Sequence, residues 1–166
     1  MAYVSRAALR MTENERSAFL DVHDFGRLST VNPTGEPHVA PVGYVALGER
    51  IYFHALLDSR RGRDLAAGSL ACLCVDDGVS EGQGYGERRG VIVYARCSML
   101  AADDERLPEV RQRFADKFFG DPGARFERRT HAWYELVPYR FASWDFGRIP
   151  AGADSHAQRA VQPPST

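Results

Sequence analysis

Short runs of period-two apolar residues, each closed by a glycine or proline turn, recur through most of this chain, and regular strand–helix–strand alternation is absent. That pattern favours antiparallel neighbours over a parallel doubly wound sheet. Gly26 to Val31 and His38 to Val45 read as two strands joined by Asn32-Pro33-Thr34-Gly35-Glu36-Pro37, whose prolines fix φ and whose glycine can take φ > 0. A second turn at Leu47-Gly48-Glu49 leads into Arg50 to Ala55, rich in aromatic and β-branched residues. Ala71 to Val75 resumes as strand, Gly90 to Leu100 is long enough for a bent barrel strand, and His131 to Val137 and Arg140 to Phe146 form two last extended pieces around Pro138. Within Gly90 to Leu100, Val91, Val93, Ala95, Cys97 and Met99 share one face, and Ile92, Tyr94 and Leu100 are on the other, so both faces are expected to be covered. The resulting class is mainly β, with appended helices.

Three segments break the period of two. Thr12 to Val22 opens with Thr12 and Glu15 at capping-box spacing ahead of Phe19 and Leu20, which predicts a leading helix. Ser59 to Ala67 predicts a short helix stopped by Gly68. Asp103 to Phe119 sets Leu107, Val110, Phe114 and Phe118 at helical spacing and leaves Arg106, Arg111, Arg113 and Lys117 for the wet side. A chain of 166 residues suits one domain, assigned to residues 1–150, with residues 151–166 as a flexible tail rich in Ala, Gly, Ser, Gln and Pro.

Charge excludes several function classes. Lys plus Arg number 21 against 22 Asp plus Glu, a balance that draws neither nucleic acid nor a membrane surface. No apolar run approaches the roughly 20 residues of a bilayer span, and no signal-peptide succession opens the chain, so the expected compartment is the cytoplasm. Cys72, Cys74 and Cys97 read as buried thiols, and the five histidines lack the spacing that sets two ligands on one helix face, so no metal site is expected. Neither a nucleophile–base order nor an acidic pair stands out, so no catalytic side chain is assigned, and chemistry falls to a bound cofactor.

The most informative stretch is Ser59-Arg60-Arg61-Gly62-Arg63-Asp64-Leu65. Three arginines in a first helical turn oppose the helix dipole, and a bound phosphate reverses that sign while accepting from the Ser59 hydroxyl and the guanidinium forks. The plainer alternative is a solvated basic turn paired with Asp58 and Asp64. Arg88-Arg89 are candidates for the same anion or for a carboxylate. Gly82-Gln83-Gly84-Tyr85-Gly86 precedes a strand and opens no helix, so it reads as a loop, not a dinucleotide fingerprint. His54, at a strand end, is read as a hydrogen-bonded structural histidine, with a ligand or proton-donor role as the alternative. Ser143-Trp144-Asp145-Phe146-Gly147-Arg148 places a large aromatic at the end of the folded chain, either closing the barrel or stacking on a ring.

The succession Phe25-Gly26-Arg27-Leu28-Ser29-Thr30-Val31, Asn32 to Val39, Ile51-Tyr52-Phe53-His54 and Ser59 to Leu65 resembles the pyridoxamine 5'-phosphate oxidase-like split barrels. Ser143-Trp144-Asp145 with Arg148 is similar to their flavin- and deazaflavin-dependent oxidoreductase branch. The resemblance covers about residues 12 to 150. It implies a six-stranded antiparallel split β-barrel forming a homodimer, with cofactor pockets at the interface and a small organic substrate. The implied cofactor is FMN, with coenzyme F420, a deazaflavin, as the alternative. Ser59, Arg60, Arg61 and Arg63 match the phosphate contacts, Val39, Ala40, Pro41 and Val42 the backbone beside the ring, and Trp144 a position near the cofactor, reached from the partner subunit. Arg61 stands where many members carry Lys, and Asp64 where Asn is frequent, which leaves the choice of cofactor open. A non-catalytic flavin- or haem-binding barrel is the alternative to an oxidoreductase.

Overall fold

The computed structural model describes residues 4–120 and 130–150, so the tail expected to be flexible lies outside the described residues. Seven strands, β1 (Phe25–Val31), β2 (Pro37–Gly43), β3 (Val45–Leu47), β4 (Arg50–Leu56), β5 (Leu70–Asp77), β6 (Arg89–Met99) and β7 (His131–Asp145), form one antiparallel sheet in the order β2-β1-β5-β6-β7-β4-β3. Helices α1 (Glu13–Val22), α2 (Arg60–Ala66) and α3 (Leu107–Phe119) pack around it.

The two edge strands, β2 and β3, are separated in sequence by Tyr44 alone, so the sheet has to curl until its edges meet. Tyr44 fixes the junction: fully buried, it donates its N–H to the Asp24 carbonyl and its hydroxyl to the Leu20 carbonyl at 2.8 Å. The run His38 to Val45 expected as one strand therefore splits here, one half pairing with β1 and the other with β4. The converse happens around Pro138, where the two final pieces are one continuous strand. A register shift between Tyr94 and Ala95 lets Ala95 face Pro138 and Tyr94 face Arg140, so the missing proline N–H falls at a bulge. One split and one fusion cancel, so the seven extended segments read from the sequence give seven strands, one more than the six of the split barrel that the resemblance implies.

Alternation along the strands decides the core. Leu28, Leu73, Val91, Val93 and Ala95 are completely buried on the inner face, each larger side chain adding about 1.5–3 kcal/mol of burial. A second cluster forms where Leu107, Val110 and Phe114 of α3 cover Tyr52 and Trp133 on the outside of the sheet. The outer face away from α3 stays half open: Cys72 and Cys74 of β5 lie beside Tyr94 and Ile92 of β6 and are half-buried, not fully buried as expected.

Local signals account for the helices. The Thr12 hydroxyl accepts from the Glu15 N–H while the Glu15 carboxylate accepts from the Thr12 N–H at 2.7 Å, the capping box read from the sequence. Gly120 ends α3 in the left-handed region. Two α3-side cations depart from the wet-side expectation. Arg106 holds Asp104 and the buried Glu135, and Lys117 donates to the Asp21 and His23 carbonyls at the end of α1.

Candidate functional site

The basic turn sits where β4 runs out. Ser59 caps α2, accepting from the Gly62 N–H at 3.0 Å and donating to the Leu56 carbonyl at 2.7 Å. Gly62 lets the helix press on the strand end: a Cβ there would lie 2.3 Å from the Leu56 carbonyl oxygen and 2.5 Å from that of Leu57. On the far side Asp64, buried, accepts from the Thr30 hydroxyl at 2.7 Å and ties α2 to β1. Gly68, in the left-handed region, closes the helix as expected.

Compensation of the three arginines is unequal. Arg60 lies 3.0 Å from Glu36 and 3.5 Å from Asp64. Arg61 donates to the Pro41 carbonyl at 3.1 Å, and its buried Nε has no hydrogen-bond partner among the described residues. Among the described residues Arg63 reaches only the Asp58 carbonyl. Asp64 thus meets its part of the plainer reading, while Asp58 offers a neutral oxygen. Two guanidinium charges remain without a carboxylate among the described residues, and burial pushes that of Arg61 below its ordinary range. An anion with several acceptor oxygens relieves both deficits.

The hydrogen bond from Arg61 also fixes what lies beside it. In an antiparallel strand the N–H and C=O of one residue point the same way. The Pro41 carbonyl points off the free edge of β2 toward Arg61, so Val39, two residues earlier, directs its own N–H and C=O off that edge. Val39 is 63% exposed and Val42 faces the core, with Ala40 between the two environments. Val39 to Val42 and Ser59 to Arg63 are therefore contiguous.

His54 lies behind this site, its ring 4.9 Å from Phe114, 5.1 Å from Trp133 and 5.5 Å from His131. Burial first, then His131 and Arg61, lower its pKa to about 4, so it is neutral at physiological pH. Tyr134, stacked on Phe53 in the barrel, keeps a buried hydroxyl with no hydrogen-bond partner among the described residues.

Trp144 is not brought to this site within one chain. Leu56 pairs with His131 at one end of β7 and Gly90 with Trp144 near the other, roughly 40 Å of strand at about 3.3 Å per residue. The Trp144 indole covers Gly90, where a Cβ would be 2.1 Å from it, on the half-open outer face. Arg88 and Arg89 share that far end. Arg89 holds Asp77 at 2.6 Å and Arg88 stacks over Tyr85, so the candidate anion role gives way to a carboxylate and a ring. Gly82 to Gly86 runs into a short 3-10 turn, Tyr85–Glu87, as the loop reading expects. Sequence reading missed Glu135, a buried carboxylate held by Arg50, Tyr52 and Arg106, whose only local signal was an acid in an apolar strand.

A family model described as pyridoxamine 5'-phosphate oxidase matches residues 12–145. No curated protein matches the chain. Among solved structures, a conserved hypothetical protein from Mycobacterium tuberculosis superposes with a TM-score of 0.74 at 20% identity, over 94% of this chain and 99% of that one. A heme storage protein from Vibrio cholerae gives 0.69 at 19% identity, over 80% and 94%. A structure described as an F420 reductase gives 0.59 at 17% identity, over 80% and 98%. At these identities the likeness is one of fold.

Proposed function

The chain belongs to the pyridoxamine 5'-phosphate oxidase family, and from that premise we propose that it is a homodimeric oxidoreductase holding FMN, or alternatively coenzyme F420, by its phosphate at Ser59, Arg60, Arg61 and Arg63. The carrying observation is the pair of guanidinium groups, Arg61 and Arg63, that among the described residues meet only carbonyl oxygens, beside the outward-directed backbone of Val39. The residues present fit the group: cations without carboxylates suit a phosphate, the orphaned Arg61 Nε supplies a donor, and Val39, within the stretch Val39 to Val42, offers its outward peptide groups to a flat ring edge. When bound, the flavin or deazaflavin supplies hydride or electron transfer to a small organic molecule. The chain's own part is to anchor the phosphate, orient the ring along β2 and shield one side with the α2 turn. Neutral His54 behind Arg61 withholds a further positive charge.

The homodimer reading is supported by the outer face, where Ile92, Tyr94, Cys72 and Cys74 are half-exposed and Val31, Val39 and Leu70 are 44%, 63% and 57% exposed. A two-fold pairing through that face would carry Trp144 of one subunit toward the α2 turn of the other. The alternative is a barrel that carries a flavin or haem without turnover. His54, the histidine considered as a ligand, is packed among Phe114, Trp133 and His131, which favours the structural role.

Titration with FMN and, separately, the deazaflavin coenzyme, followed by tryptophan emission and melting temperature, tests this reading. Arg61→Ala is expected to weaken the bound cofactor by about tenfold or more, near 1.4 kcal/mol. Affinity within about threefold of the parent removes the phosphate assignment. Binding without reduction or oxidation of any acceptor favours the carrier.

A further inference from the structure

At the end of the barrel opposite α2, residues 5–11 cross β7 as a strap. It is fastened at three points: the Asp145 N–H donates to the Leu9 carbonyl at 2.8 Å, the Met11 N–H to the Ser143 hydroxyl at 3.0 Å, and the Arg148 guanidinium to the Arg10 carbonyl at 2.7 Å. Between strap and strand lies a cleft of about 620 Å³, inside the usual range of small-molecule pockets. Arg6, Arg10 and Arg16 line it together with Phe141, Trp144 and Phe146.

Among the described residues, no Asp or Glu lines this cleft. Arg16 stacks over Phe141 at 4.0 Å and comes within 3.8 Å of Glu49, while Arg6 and Arg10 make no ion pair among the described residues. Arg6 and Arg10 thus bring two cations to the cleft rim with no paired carboxylate among the described residues, and an anion placed beside them gains from both. The rings select further: an aromatic wall rewards a flat apolar body, and guanidinium forks reward a carboxylate over a point charge. A short exposed basic segment alone would select neither. The pinned backbone of the strap also holds the cleft's shape before a ligand arrives, which reduces the ordering cost of binding.

We propose that this cleft binds a planar aromatic carboxylate. That the bound acid is also the substrate rests on the oxidoreductase reading above, because Trp144 belongs to the face through which the two-fold would bring it to the partner's cofactor. Binding of the acid to the cleft does not depend on that reading.

The test is calorimetric titration of the full chain with 2-naphthoate and with its neutral counterpart 2-naphthamide, in the parent and in an Arg6→Gln/Arg10→Gln double variant. Both arginines are exposed, so the variant should keep the parent's melting temperature. The expected result is saturable binding of 2-naphthoate below about 1 mM, binding of the amide at least about tenfold weaker, and a loss of about tenfold or more for the acid in the double variant. FMN and deazaflavin binding should stay within about twofold in the same variant. Equal affinity for acid and amide, an unchanged double variant, or no saturable binding of 2-naphthoate would overturn the proposal. If the acid binds as expected and neither cofactor does, the cleft stands and the oxidoreductase reading falls; cofactor binding without 2-naphthoate binding gives the reverse.

Discussion

The two faces of β6 carry similar side chains and meet different fates. Val91, Val93 and Ala95 are fully buried inside the barrel, whereas Ile92 and Tyr94, their immediate neighbours in sequence, stay half-exposed on the outer face with Cys72 and Cys74 beside them. Residue type does not separate the two faces. Curvature does, because a curled sheet has one concave face that its own side chains can fill and one convex face that needs another body. An apolar convex face is therefore the part of this fold that points beyond the single chain.

The largest expected effect comes from placing the same charge on each face. Val93→Asp puts an unpaired carboxylate in the dry interior and should cost more than about 4 kcal/mol, leaving no cooperative melting transition. Next is Gly62→Ala, where backbone oxygens of Leu56 and Leu57 stand too close to yield; a loss of about 1–3 kcal/mol in denaturant titration is expected, together with weaker cofactor binding.

A smaller effect follows from His54, whose pKa falls from 6.5 to about 4 on folding. Its neutral form is compatible with the fold, so stability is complete above pH 6.5 and is lost as pH falls toward 4, on the order of 1 kcal/mol after allowing for partial exposure. Glu15 and Asp104, held at about 2, also lose stabilisation on acidification, mainly below that window. A plot of melting temperature against pH should bend between 6.5 and 4 in the parent and flatten there in His54→Asn. The smallest change in chain stability, within about 0.5 kcal/mol, belongs to Ile92→Asp on the convex face. Light scattering should nevertheless show the particle mass halved, and an unchanged mass would remove the convex face as the dimer surface.

Much of this was legible because it is local. The capping box at Thr12 and Glu15, the turns at Gly35 and Gly48 and the stop at Gly68 each depend on a few consecutive residues, and all are present. The break at Tyr44 was not legible, because it depends on which strands become the two sheet edges. Nor was the fate of Arg106 and Lys117: helical spacing gives a direction around α3, but not that Glu135 of β7 or the end of α1 waits there. At the basic turn, sequence supplied the arginines but not the choice of Pro41 and Asp58 carbonyls over carboxylates. Arg6 and Arg10 gave no signal at all, since only the path of the strap brings them to Trp144.

The hydrogen bond from Arg61 to Pro41 has a bearing on solubility as well. A strand at the rim of a sheet can recruit a stranger's backbone and seed aggregates. On β2, positions 37 and 41 share the outward parity and both are proline, so neither can donate, and the one carbonyl at 41 is already taken by Arg61. The opposite rim, β3, is three residues long. The stretch left for a newcomer to zip onto is thus little more than Val39, which suits a peptide-sized or ring-sized guest and refuses a whole strand.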